Sequence, residues 1–147
     1  MTGVQTCALP ICRISAEDAI PLRSLVLRPQ RPLAECHFPR DSESVHFGAF
    51  LGSELVSIVT AHPEDRFAKG DWRIRGMATQ PSRQGEGAGG EVLEALLSWG
   101  RSEHLPLFWC NAREKAIPFY LRHGFTIESE LFEIPGVGPH KVMKRAP

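Results

Sequence analysis

Apolar and polar positions along the chain lay out an ordered series of elements. Ser15 with Asp18 three residues on is a capping-box variant, so a helix opens at Ala16. Ile20 and Leu27 share one face with Leu22 and Val26 close by, which carries that helix to about Leu27. Pro21 falls near its first turn, where proline is tolerated, and Arg28-Pro29 ends it. Residues 29–44, rich in Pro, Arg and Ser, read as a long loop with one short helical turn. His46–Leu51 and Leu55–Ala61 are apolar strands around a tight turn at Gly52-Ser53. His62–Asp71 carries Glu64, Asp65, Arg66, Lys69 and Asp71 and reads as a surface loop. Trp72–Thr79 is a third strand, with Arg73 and Arg75 marking its outward face. After a glycine-rich stretch, Val92, Leu96 and Trp99, with Leu93 and Leu97 beside them, define a helix to about Glu103. Leu107–Cys110 is a short buried strand, and Arg113–His123 is a helix stopped by Gly124. Phe125–Ile134 and His140–Lys144 are the last strands, around a Pro135–Pro139 loop. Helix, hairpin, strand, helix, strand, helix, hairpin: the order predicts one mixed α/β domain.

Composition agrees. The chain has 147 residues, 42% apolar and 23% charged, ordinary values for a single globular domain. Lys+Arg and Asp+Glu balance at 17 each, which gives no pull toward nucleic acid or an anionic membrane. No apolar run approaches the roughly 20 residues of a spanning helix. Cys7, Cys12, Cys36 and Cys110 include no C-x-x-C pair, so no zinc or thioredoxin motif is visible and no metal is expected. Cys36-His37 reads as a small residue beside a loop histidine, and Cys110 as a buried thiol. Reduced cysteines without an export signal point to the cytoplasm.

Met1–Ile11 reads MTGVQTCALPI, uncharged and without period, and lacks the basic start of a signal peptide. It matches, residue for residue, the translation of a common sequencing-library adapter. Residues 1–12 are therefore expected to be foreign to a metagenomic gene fragment whose domain spans 13–147. Cys7 and Cys12 then carry no functional weight, and a first strand is either lost or imitated by adapter residues.

The chemistry concentrates at residues 85–90. Gly85, Gly87, Gly89 and Gly90 lie between a strand and an amphipathic helix. Glycine lets a ligand approach the backbone closely, and a helix start offers unpaired N–H groups and partial positive charge. Together they suit a pyrophosphate. Gly89-Gly90-Glu91 lacks the Lys-Ser/Thr of a Walker loop, and the dinucleotide fingerprint fits poorly because Glu103 ends a helix rather than a strand.

Gln84-x-x-Gly87-x-Gly89 resembles the Q/R-x-x-G-x-G/A signature of the GNAT N-acetyltransferase superfamily. Three more segments agree in order. Arg75-Gly76-Met77-Ala78-Thr79 with Pro81 resembles the preceding strand, and Trp109-Cys110-Asn111-Ala112-Arg113 the next one. Ala116-Ile117-Pro118-Phe119-Tyr120-Leu121-Arg122-His123-Gly124-Phe125 resembles the A-x-x-F-Y-x-x-x-G-F helix end. The resemblance implies an α/β sheet of about six or seven strands, splayed between two central parallel strands and flanked by about four helices. It implies acetyl-CoA as co-substrate in that cleft. Backbone groups of Met77, Ala78 and Thr79 would pair with the pantetheine arm. Amides of Gln84, Gly85, Glu86, Gly87, Ala88, Gly89 and Gly90 would hold the pyrophosphate. Asn111, Ala116, Phe119 and Tyr120 would complete the cofactor side, although Asn111 could instead cap the following helix.

By the same resemblance Tyr120, the chain's one tyrosine, would protonate the departing thiolate. A lysine-like amine, with a pKa of about 10.4, needs a base before it can attack. Trp72–Thr79 has no carboxylate, so the glutamate that some relatives place there cannot be carried over. His140 leads as base, with Glu133 and His46 as alternatives. Arg28 could bind an acceptor carboxylate or be solvated. The implied function is acetyl transfer to the amine of a small molecule; a non-catalytic acyl-CoA sensor is the alternative, against which Tyr120 argues. No nucleic-acid or membrane partner is expected, and the oligomeric state stays open, a homodimer included.

Overall fold

In the computed structural model, which describes residues 10–147, the chain divides into two compact units. One comprises the chain up to His62 together with Arg75–Trp99; the other comprises Pro63–Ile74 and Gly100–Pro147.

The first unit begins with β1 (Ile11–Arg13), antiparallel to β2 (Val45–Leu51) through Ile11↔Ala49 and Arg13↔Phe47. Phe50 N–H also donates to Pro10 C=O at 3.0 Å. A first strand is thus present; Ile11 of the adapter-like run lies in it, and Pro10 accepts a hydrogen bond just before it. Helix α1 (Ala16–Leu22) carries the expected capping box, Ser15 Oγ accepting from Asp18 N–H and Asp18 accepting from Ser15 N–H, both at 3.1 Å.

Pro21 sits inside α1, past its first turn. It has no N–H to close the ladder, and the helix widens beyond it into a π-helical stretch, Arg23–Leu27, ended by Arg28 N–H donating to Arg23 C=O. The loop 29–44 holds two short 3-10 turns, Leu33–Cys36 between Pro32 and Pro39 and Asp41–Glu43 after Pro39. Strand β2 turns into β3 (Glu54–Pro63) through Gly52-Ser53, with Leu51 opposite Glu54 and Gly52 at φ +63°.

Strand β4 (Trp72–Thr79) and helix α2 (Ala88–Ser102) run through both units. The core of the first unit joins Ala19 and Leu22 to Ile58 and Ala78, with Val26 and Leu27 packed alongside. Val92, Leu93, Leu96 and Leu97 of α2 are fully buried. Each such side chain contributes about 2 kcal/mol of burial.

The second unit contains β5 (Phe108–Arg113), α3 (Ile117–Arg122), β6 (Thr126–Ile127), β7 (Phe132–Ile134) and β8 (Gly138–Arg145). Strand β5 is parallel to β4 at Trp72↔Phe108 and Arg73↔Trp109, and antiparallel to β8 along its whole length. The hydrogen-bonded order is β1-β2-β3-β4-β5-β8-β6, with β7 also on β8.

Eight strands and three α-helices form among the described residues, against about six or seven and four expected. One of the differences has a local cause. The single strand foreseen at 125–134 breaks because Ser129 Oγ, not a backbone carbonyl, accepts Val142 N–H at 2.8 Å.

Two polar expectations are also corrected. Asp71 is not a surface residue: it is fully buried, and its Oδ2 accepts the N–H groups of Arg66, Phe67 and Ala68. Arg73 and Arg75 do not form a solvated face. Both are half-buried, their guanidinium carbons each 5.0 Å from an aromatic centroid, Trp109 for Arg73 and Phe38 for Arg75. Gly76, next after Arg75, sits at φ +68°, which breaks strand alternation. A Cβ there would meet Phe38 Cε2 at 2.5 Å, so that position demands glycine.

Candidate active site

In the first unit, β4 leads through a 3-10 turn (Pro81–Arg83) to the glycine loop. Gly85 (φ +86°) and Gly87 (φ +92°) both adopt left-handed backbone, and a Cβ at either would meet nothing within 4 Å. The loop is therefore open on its outer side. Gln84 folds back, its Nε2 donating to Thr79 C=O at 3.2 Å, and so ties the loop to the end of β4. Glu91 N–H donates to Gly87 C=O at 3.1 Å, making Gly87 the residue from which α2 grows. Gly89 and Gly90 lie inside α2, and Ala88 is buried against Ala49 and Val56. Glu86 is exposed and faces Arg83 at 3.8 Å. This strand, open glycine loop and helix start form an anion cradle.

In the second unit, α3 presents Tyr120 to β5. The helix stops at Gly124 (φ +86°), and Phe125 N–H donates to Tyr120 C=O at 3.0 Å. The Tyr120 ring is held edge-on between Phe119 and Phe125, at 5.3 and 5.1 Å. Its hydroxyl bonds the Cys110 thiol; burial, and then Cys110, push its pKa well above the ordinary 10.0. Burial likewise pushes the Cys110 thiol up to about 12, with Tyr120 and Arg73 opposing. Ala116 and Phe119 are half-buried on the same helical segment.

The β5–β8 register decides which groups share a face. Asn111 pairs with Val142 and Arg113 with His140, so Asn111 and His140 fall on one face. Cys110, which holds Tyr120, points to the other. Asn111 does not cap a helix: α3 begins at Ile117 with no side-chain cap. Its Oδ1 is buried and has no hydrogen-bond partner among the described residues. His140 is buried within β8 itself, and its Nδ1–H donates to Gly138 C=O at 2.7 Å. A carbonyl can only accept, so the neutral ring keeps its lone pair on Nε2. Glu133 is exposed on β7. A depression of about 630 Å³ beside the start of α3, lined by Glu114, Ile117 and Lys141, includes none of Tyr120, Asn111 or His140.

His46 belongs to a separate buried network in the first unit. Arg23, fully buried, donates to both Asp41 oxygens at 2.7 and 2.9 Å, to Thr60 Oγ1 at 2.9 Å and to Cys36 C=O at 3.1 Å. His46 Nδ1 lies 2.9 Å from Thr60 Oγ1. Burial holds its pKa below 6.5, despite the opposing bond to Asp41 C=O. For Asp41 burial acts upward, but the Arg23 and Phe38 hydrogen bonds outweigh it and hold the carboxyl below 3.8.

The acetyltransferase (GNAT) family matches residues 13–125. The chain belongs to that family. It is 31% identical over 140 residues to uncharacterized N-acetyltransferase YitI of Bacillus subtilis (strain 168), covering 92% of this chain and 94% of that one. Its fold is shared with aminoglycoside 6'-N-acetyltransferase complexed with coenzyme A, at TM-score 0.75 and 15% identity over 93% of this chain and 96% of that one. IAA acetyltransferase from Bacillus cereus superposes at TM-score 0.71 with 19% identity, over 93% of this chain and 98% of that one.

This GNAT chain is an acetyl-CoA-dependent N-acetyltransferase. In the first unit the open glycine loop suits a phosphate, and in the second the orphaned Asn111 Oδ1 can accept an amide N–H; phosphopantetheine carries groups of both kinds. No helix among the described residues is long and apolar enough to cross a membrane, and no group of three or more His, Cys, Asp or Glu among them could hold a metal. Sequence reasoning missed Arg23 and Asp41. The signal for Arg23 was present, since four residues separate it from both Ala19 and Leu27 on the apolar face.

Proposed function

We propose that this enzyme acetylates the amine of a small molecule by direct attack on acetyl-CoA, with Tyr120 as general acid. One observation carries the reading: the Tyr120 side chain is buried and its hydroxyl hydrogen-bonds the Cys110 thiol, which fixes a neutral O–H donor beside β5 that can give its proton to a leaving thiolate. Met77, Ala78 and Thr79 pair with the pantetheine arm, and the amides of residues 84–90 hold the pyrophosphate. Asn111 Oδ1 accepts a pantetheine N–H; Ala116 and Phe119 border the cofactor. The neutral amine attacks the thioester carbonyl carbon, the C–S bond breaks, and the Tyr120 proton passes to sulfur. His140 Nε2 accepts the proton that the amine must lose.

Residues 13–147 constitute the working domain in this reading, with 1–12 foreign; a family match that begins at residue 13 supports the division. Cys36 and Cys110, free thiols among the described residues, accord with a reducing, cytoplasmic setting. Calorimetric titration of acetyl-CoA into the parent and Gly87→Trp tests the cofactor site. An amine-panel assay with the parent and Tyr120→Phe tests the chemistry. Parent binding lost in Gly87→Trp, with turnover lost in Tyr120→Phe, is the expected result.

A further inference from the structure

Phe38 is ringed by three arginines of the first unit, Arg23 and Arg28 at the two ends of the π-helical stretch and Arg75 on β4. The Arg23 guanidinium carbon lies 3.9 Å from the ring centroid, that of Arg75 5.0 Å and that of Arg28 5.1 Å. Asp41 neutralises Arg23, and its two oxygens are taken up by Arg23 and Phe38 N–H. Arg28 donates to the Glu35 carbonyl at 2.7 Å, which carries no charge, and no carboxylate among the described residues lies within ion-pair distance of it. Arg23 Nε, on a fully buried side chain, has no hydrogen-bond partner among the described residues and lies 3.6 Å from where a Gly76 Cβ would be. The Arg28 charge, met by no such carboxylate, and the spare buried Arg23 Nε–H are costly to desolvate unless an anion completes them.

The cluster adjoins the segment proposed to bind the pantetheine arm. A cofactor with its pyrophosphate at residues 84–90 and its arm passing Thr79, Ala78 and Met77 in that order has its acyl end toward Gly76. Arg75 lies two residues before Met77, about 7 Å along the strand. We infer that the Arg28–Phe38–Arg75 cluster, floored by Arg23, binds a carboxylate on the acceptor, so that the acceptor is an amino acid-like molecule with amine and carboxylate on one short chain. The inference rests on the acetyltransferase reading proposed above. Arg28 and Arg75 supply forked donors for the carboxylate, and the amine reaches back toward the thioester.

The test compares ω-amino acids, glycine through 6-aminohexanoate, with their carboxamides in the parent, Arg28→Gln, Arg28→Lys and Arg75→Gln. In the parent, kcat/KM for the best acid should exceed that for its amide by roughly tenfold or more. The acid-to-amide ratio should fall toward one in Arg28→Gln and Arg75→Gln and recover in part in Arg28→Lys. General damage to the fold lowers both members of each pair and leaves the ratio alone. A parent ratio near one, or a ratio that neither glutamine variant moves, overturns the inference while an intact acetyl-CoA titration leaves the acetyltransferase reading standing. If acetyl-CoA does not bind, that reading falls. The inference is then decided by calorimetry with 4-acetamidobutyrate against 4-acetamidobutyramide: roughly tenfold tighter binding of the acid supports it, and equal binding overturns it.

Discussion

Tyr120 and Cys110 hydrogen-bond each other in the interior of the second unit, tyrosine hydroxyl to cysteine thiol, both side chains almost wholly buried. Burial disfavours both anions, so the pair sits as neutral phenol and neutral thiol across the physiological range. Tyr120→Phe removes only the hydroxyl from a ring still packed between Phe119 and Phe125. The turnover number should drop about a hundredfold or more, with acetyl-CoA affinity little changed. Steady-state kinetics beside a calorimetric titration checks this, and a variant within twofold of the parent would end Tyr120's role as acid.

The same pair makes Cys110 chemically silent. The thiolate is the nucleophile, and a pKa of about 12 leaves almost none at pH 8. Cys12 is exposed on β1. Iodoacetamide on the native protein should modify Cys12 and spare Cys110, and peptide mass spectrometry reads the outcome directly. Rapid native-state labelling of Cys110 would show that the Tyr120 environment opens readily.

Gly87 separates backbone conformation from ligand access. Its φ of +92° penalises any side chain, while the surrounding space is open. Gly87→Ala should cost about 1 kcal/mol of stability by urea titration, because alanine tolerates that backbone poorly. Gly87→Trp should remain folded by circular dichroism yet bind no acetyl-CoA. Unchanged cofactor affinity in the tryptophan variant would move the phosphate site elsewhere.

The Arg23–Asp41 pair is the polar anchor of the first unit. Arg23→Met strands the Asp41 carboxylate beside a buried polar cluster and should cost about 3 kcal/mol or more, measured as a shift in urea midpoint at constant slope. A urea midpoint unchanged from the parent's would contradict this assignment.

His46 gives stability a predictable pH dependence. Its folded pKa is depressed below 6.5, so the unfolded chain binds the extra proton. That contribution is fully present above pH 6.5 and is lost as pH falls toward the folded value. Asp41, depressed below 3.8, adds a second loss at lower pH, as its carboxylate is protonated. Tm should therefore decline between about pH 6.5 and 5, and His46→Gln should flatten that part of the profile. An equal slope in the variant would assign the titration to another group.

Periodicity and local chemistry made much of this molecule legible. The capping box at Ser15, the Gly52-Ser53 turn, the bounds of Trp72–Thr79, the Val92–Leu97 face and the stop at Gly124 all depend on neighbours in the chain, and all formed as expected. The glycine loop was legible for the same reason: positive φ and a helix start are encoded within six residues. The Tyr120 motif could be placed on its helix, but its partner could not. That Cys110 receives its hydroxyl, that Asn111 shares a face with His140, and that Asp71 is buried depend on strand register and on packing between segments far apart in sequence. The arginine ring around Phe38 is of the same kind. Strand alternation placed Arg73 and Arg75 on an outward face and left Arg23 unnoticed, because local pattern carries no information about which buried donors find acceptors. Short-range sequence determined the elements and the cradle; only the tertiary structure decided which side chains are desolvated together, and desolvation is what sets their charge state and their chemistry.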